Sequence, residues 1–223
     1  MEFVGIWAQI NLLDPMAYLH MEMNLFHDHA MILCVGILFF VLFVGASLLS
    51  NRFHTRTVHE AQTLEFLWTI LPAGLLVWLA LPSLRLLYLL DEQHQNLYTV
   101  KAVGHQWYWS YELANQGIAF DSYMLPENSL SLGMYRLLEV DKRILMPYNV
   151  HSLMITTSAD VIHAWALPSA GLKVDAVPGR LNSINMNLNI PGVLYGQCSE
   201  ICGANHAFMP IVVESVKVKD LYI

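Results

Sequence analysis

The chain has 223 residues, enough for one domain of ordinary size and a membrane anchor, and too few for a large multidomain enzyme. Hydrophobic residues make up 56% and charged residues only 13%, against roughly a quarter charged in ordinary soluble domains, and that imbalance points to lipid. The formal charge of -7 argues against a nucleic-acid partner, which needs a basic face, and suits a basic protein partner.

Met1 to Gln9 lacks the positive n-region of a secretory signal and the arginines of a transit peptide. Residues 1–27 are expected as an N-terminal segment ahead of a first membrane helix over 28–50. Within that helix, Ala30 to Leu49 is twenty residues with only Ser47 conventionally polar, long enough as a helix for about 30 Å of hydrocarbon. Cys34 falls inside this run, where a thiol behaves as a small hydrophobe. A connection over 51–63 carries Arg52 and Arg56 beside His54 and His59. A second membrane helix is expected over 64–90, built on the apolar run Phe66 to Leu84. Its prolines, Pro72 and Pro82, are tolerated in a membrane because neighbours and local adjustments satisfy the freed backbone. Arg85 and Tyr88 suit the far interface. By the positive-inside rule the basic connection faces the cytoplasm or matrix. Residues 1–27 and everything after Asp91 are then expected on the outer side.

From 91 to 223 the pattern changes to short β-type runs broken by turn signals. Leu97 to Glu112, Arg136 to Val140, Ser152 to Thr157, Ile184 to Ile190 and Ile211 to Val218 read as strands. Pro126, Pro147, Pro168, Pro178-Gly179, Pro191-Gly192 and Gly203 punctuate them. Short strands without a helical period predict an all-β sandwich or barrel.

The stretch Cys198-Ser-Glu-Ile-Cys202-Gly-Ala-Asn-His206-Ala-Phe-Met209 carries the chemistry. It gathers two thiols, an imidazole and a thioether on one loop. Thiolate and thioether sulfur select soft metals such as copper, and imidazole suits copper or zinc. A single-copper electron-transfer site needs two His, one Cys and a weak axial Met. Cys202, His206 and Met209 fit that set, and His163, flanked by strand-like residues, is the best-placed second histidine. Cys198 is then surplus, unless both thiolates bridge a pair of copper ions. Two other readings stay open on spacing alone: a Cys198–Cys202 disulfide, and a closed zinc tetrahedron that leaves Met209 unused.

The loop Tyr195-Gly-Gln-Cys-Ser-Glu-Ile-Cys-Gly-Ala-Asn-His-Ala-Phe-Met-Pro210 resembles the dinuclear copper (CuA) loop of the cytochrome c oxidase subunit II family. Gly104-His-Gln-Trp-Tyr-Trp-Ser-Tyr-Glu112, Phe120-Asp-Ser-Tyr-Met124, Asp160-Val-Ile-His163 and Val177-Pro-Gly-Arg180 are similar to further motifs of that family. The resemblance implies a two-helix transmembrane hairpin followed by an all-β cupredoxin-like domain. It implies two copper ions held by His163, Cys198, Cys202, His206, Met209 and the backbone carbonyl of Glu200. The Glu200 carboxylate would help hold a magnesium ion shared with the large subunit, a role that suits a hard cation. Trp107 would be the electron entrance beneath docked cytochrome c, and Asp160 a docking acid, with Glu112 and Asp141 as weaker candidates. Residues 92–223 hold eleven acidic and eight basic residues, the sign needed to steer a basic donor. Glu65 matches a position that feeds protons into the large subunit.

Such a subunit passes its electrons to a haem-containing subunit I, which reduces oxygen to water coupled to proton pumping. The mitochondrial inner membrane, with the copper domain in the intermembrane space, is the expected location, and a bacterial plasma membrane the alternative. A membrane-tethered copper-binding chaperone for oxidase assembly is the competing reading. It also uses Cys-x3-Cys with a distant His but does not need Met209. His27, His29 and His105 are expected as interfacial or packing residues.

Overall fold

The computed structural model describes residues 4–57, 59–92 and 95–221. It divides into two units, one of residues 22–91 and one that joins residues 1–21 to 92–223.

The first unit is a helical pair. Helix α1 runs Tyr18–Ser50 and α2 runs Gln62–Asp91. At a rise of about 1.5 Å per residue, helices of 33 and 30 residues are longer than the hydrocarbon core. Their apolar runs, Ala30 to Leu49 and Phe66 to Leu84, are apolar on all sides, as a lipid-facing helix must be. Ser47 and Ser50 return their hydroxyls to the Phe43 and Ala46 carbonyls, so neither leaves a polar group facing hydrocarbon. Pro72 and Pro82 lie inside α2 without ending it. Contacts across the pair include Glu22 to Arg85 at 3.7 Å and the His29 ring 4.6 Å from Trp78. Both helices extend past their apolar runs, because the polar flanking residues still complete their backbone bonds inside the helix.

Among the described residues the second unit has ten strands: β1 Tyr98–His105, β2 Tyr108–Leu113, β3 Ile118–Ser122, β4 Ile144–Pro147, β5 Ser152–Ser158, β6 His163–Leu167, β7 Leu172–Ala176, β8 Asn182–Met186, β9 Gly192–Gln197 and β10 Pro210–Val216. One sheet has the order β3-β2-β1-β5-β8, a second the order β4-β10-β9, and β6 pairs with β7. Strand β1 pairs antiparallel with β2 and parallel with β5. Its strict alternation of buried and half-buried residues marks a strand with one face on the core. All five residues of β6 are buried, the pattern of a strand covered on both faces. Trp109, Trp165, Tyr111, Met154, Leu167 and Leu194 fill the interior. Trp165 Nε1 donates to Tyr111 Oη at 3.4 Å, and burial raises the Tyr111 phenol well above its ordinary range.

Two strand expectations change outright. Leu97 to Glu112 is a hairpin rather than one strand, turning at Gln106 and Trp107. Arg136 to Val140 is not a strand: Leu137 has φ +66 and Val140 alone pairs, in a single bridge to Met124. Side chains decide that segment. Glu139 is buried, accepting from Tyr195 Oη at 2.8 Å and Arg143 Nη2 at 3.1 Å, and a regular strand would break this network. Part of the N-terminal segment belongs to the β-unit. Met16 is fully buried in the β-unit, donates through its N–H to the Ser169 carbonyl at 2.8 Å, and accepts from Asn189 N at 2.8 Å.

Candidate metal centre

Strand pairing brings the sulfur and nitrogen donors together. Gln197 and Pro210 are paired across β9 and β10, so the intervening loop must begin and end at one place. Cys198 and Met209, the next residues inward, are therefore neighbours by register. The Ser199 N–H donates to the Ala164 carbonyl at 3.0 Å, which sets Cys198 beside His163 at the start of β6. Gly196 makes that approach possible: a Cβ there would lie 2.0 Å from the Ala166 carbonyl oxygen. Gly104 does the same under the imidazole, where a Cβ would come within 2.7 Å of His163 Cδ2. Trp109 closes the other side, edge-on with its ring centroid 5.8 Å away.

The donor atoms of His163, Cys198 and Cys202 all lie within 4.8 Å of one another. Cys198 Sγ is 3.9 Å from His163 Nδ1 and 3.4 Å from the Glu200 carbonyl oxygen. Cys202 Sγ is 3.4 Å from His206 Nδ1 and 3.5 Å from Met209 Sδ. Both cysteines are free thiols, so the disulfide reading does not describe this fold. His163, Cys198, Cys202 and Met209 are all buried, whereas the Glu200 side chain is exposed at the loop tip. His163 and two thiols around one point, with His206 and Met209 against Cys202, make a soft-metal donor set.

Asp160 orients the buried imidazole. Its Oδ1 accepts from His163 Nε2 at 2.9 Å and from Val161 N at 2.6 Å, while Oδ2 accepts from Gln106 N at 2.7 Å. A carboxylate on Nε2–H leaves the Nδ1 lone pair facing Cys198, the arrangement of a histidine prepared for a metal. Burial alone would raise the Asp160 carboxyl, but His163 and the two backbone donors hold it below its usual range. Burial opposes charging of His163, and Cys198 and Asp160 outweigh it to raise the imidazole. Cys198 is opposed by burial yet held low by His163 and by the backbone of Ala164 and Glu200. Cys202 is pushed up to about 12 by burial and by the charge of Cys198 beside it.

The other predicted residues fall in distinct places. Trp107 is half-buried against the core, at the β1–β2 turn. Asp141 is exposed and its Oδ1 accepts from Tyr123 N at 2.8 Å. Tyr123 stacks on Tyr108 and Tyr108 on His105, each pair at 4.5 Å, so Asp141 stands beside an aromatic ladder next to Trp107. Glu112 is elsewhere: it pairs with Lys101 Nζ at 3.0 Å, four residues along β2 from the turn and so about 13 Å away. Glu65 sits in the first turn of α2, exposed. Sequence reasoning missed Gln106, the Tyr108–Tyr123 ladder and the close-packing roles of Gly104 and Gly196. Glycines inside strand patterns were the available signal, since they mark close backbone approach.

A two-helix membrane protein whose β-unit gathers thiols, imidazoles and a thioether is, as a class, a membrane-anchored soft-metal protein. The family described as "Cytochrome C oxidase subunit II, periplasmic domain" matches residues 98–216, and "Cytochrome C oxidase subunit II, transmembrane domain" matches residues 5–86. Cytochrome c oxidase subunit 2 of Albinaria caerulea is 65% identical over 97% of both chains, and that of Ctenocephalides felis is 50% identical over 96% of this chain and 95% of its own. The solved periplasmic domain of subunit II of cytochrome oxidase (CoxB) of Bradyrhizobium japonicum is 45% identical, with a TM-score of 0.54 over 58% of this chain and 91% of its own. The chain belongs to the cytochrome c oxidase subunit II family, and thus to an oxidoreductase complex of the respiratory chain.

Proposed function

We propose that the chain accepts electrons from a soluble, basic cytochrome c at a dinuclear copper (CuA) centre and passes them to the haem-containing subunit I, where oxygen is reduced and protons are pumped. The observation that carries this reading is the second cysteine. A mononuclear copper site needs one thiolate, yet Cys198 and Cys202 both direct sulfur to the point that His163 faces. Met209, buried against Cys202, has no use in a zinc tetrahedron or in a copper chaperone. His163, Cys198, Cys202, His206, Met209 and the Glu200 carbonyl would hold the metal. Two copper ions there would share one electron, so that little bond rearrangement accompanies transfer.

This chain's own residues do the rest. Asp160 fixes the His163 tautomer, and burial of Cys198, Cys202 and Met209 keeps their sulfurs from water. Trp107 offers an indole face at the edge of the unit where a donor can dock. Asp141 beside the aromatic ladder, and Asp160 with its side chain 32% exposed, supply negative charge at that edge. Glu112, neutralised by Lys101, contributes least. The exposed Glu200 carboxylate suits a magnesium ion at the boundary with subunit I. Glu65, at the end of α2 that follows the basic connection, would take up protons on the inner side. The reading places the helices in the mitochondrial inner membrane with the β-unit in the intermembrane space.

Anaerobic mixing of the assembled oxidase with reduced cytochrome c tests it. Cytochrome c should be oxidised in a rapid phase that Trp107→Ala slows far more than it weakens association. A Cys202→Ser enzyme that keeps the rapid phase at the parental rate overturns the proposal.

A further inference from the structure

Gln106 touches both loops of the centre from outside it. Its backbone N–H donates to Asp160 Oδ2 at 2.7 Å, and its side-chain Nε2 donates to the Cys202 carbonyl at 2.7 Å. The residue is otherwise exposed, so packing does not account for its orientation. Trp107, the next residue, has a buried Nε1 with no hydrogen-bond acceptor among the described residues. The indole is therefore held by packing and by the turn that carries it. That packing is close: at Gly203, φ +127, a Cβ would lie 3.0 Å from Trp107 Cζ2, 3.2 Å from Trp107 Nε1 and 3.1 Å from Gln106 Nε2. The indole and the amide share the space that a side chain at 203 would fill, directly over the backbone that follows Cys202.

We propose that Gln106 is a positioning residue that clamps the Trp107 turn onto the Cys202 backbone, and thereby sets both electron passage from the indole and the reduction potential of the centre. The inference rests on the copper reading above. The amide is suited to the task because the Cys202 carbonyl can only accept, and Gln106 presents a donor to it. Its donation also draws electron density from the Cys202 carbonyl, on the residue that carries a thiolate, and so favours the electron-rich reduced state. A glutamate of the same shape would set an acceptor against an acceptor and add negative charge. Alanine would remove the clamp and leave the backbone bond to Asp160 in place.

The test uses the assembled oxidase with Gln106→Ala and Gln106→Glu. Redox titration of the copper centre, its electron paramagnetic resonance spectrum, cytochrome c affinity and the rate of electron uptake at saturating cytochrome c are measured for each. Copper content should stay at the parental value in both variants. The potential should fall, further for Gln106→Glu than for Gln106→Ala. The saturating uptake rate should drop on the order of tenfold, as displacement of a positioned group predicts, while the affinity of Gln106→Ala stays parental. A parental potential and saturating rate in Gln106→Ala overturn the inference. So does a defect confined to affinity that disappears at high salt, which would make Gln106 a docking residue only. A parent enzyme without copper overturns the functional reading, and this inference with it.

Discussion

The helical pair and the β-unit handle polar side chains in opposite ways. In residues 22–91 polar groups such as Ser47 and Ser50 return to their own helix, and Glu22 meets Arg85 across the pair. Each is a local solution that a neighbour does not depend on. In the β-unit one side chain serves several segments: Asp160 binds its own loop, the next strand and the β1–β2 turn. The difference teaches where substitutions matter. A lipid-facing helix asks for apolar character at each position, whereas the β-unit asks for particular atoms.

Core substitution sharpens that contrast most. Trp109 is fully buried and stands edge-on to His163. Trp109→Ala should cost ~3–5 kcal/mol and release the imidazole, seen as a large drop in the denaturation midpoint of the β-unit. Leu42, 57% exposed on α1, should tolerate Ala within about 0.5 kcal/mol. Equal effects of the two in a thermal unfolding series would erase the distinction.

A smaller effect is expected at Asp160. Asp160→Asn removes the charge that orients His163 and should lower metal affinity about tenfold, measured by competition with a chelator of known strength. Cytochrome c association should weaken with it, less so as salt rises. An unchanged metal affinity would reduce Asp160 to a surface acid.

The smallest effect belongs to Tyr195, away from the metal. Burial, and then the Glu139 carboxylate it donates to, push its phenol up from 10.0 to about 12. A raised folded value means that the unfolded chain loses this proton first. The contribution to stability is whole below pH 10 and is lost as pH rises through about 12. Alkaline unfolding curves should show this loss in the parent and not in Tyr195→Phe.

The contrast also explains what could be read from the sequence. Both membrane helices were legible because a long apolar run has few other uses, and the β class was legible from short runs and turn residues. The donor set was legible because Cys198, Cys202, His206 and Met209 share one loop whose ends are paired. The Arg136–Val140 segment was misread because a buried Glu139 with long-range partners overrides local strand pattern. Gln106 was hidden for the same reason: its partners, Asp160 and Cys202, are 54 and 96 residues away. Asp160 looked like a surface acid, and only three-dimensional packing turns it toward His163.

The most direct test of the account is a metal count with electron paramagnetic resonance on the purified oxidase and its Cys198→Ser variant. The account predicts two coppers per chain in this subunit, with one unpaired electron delocalised over both, and in the variant at most one copper with a localised signal. A parent with a single localised copper, or a variant that keeps the delocalised pair, would contradict the claim that both thiolates build the centre.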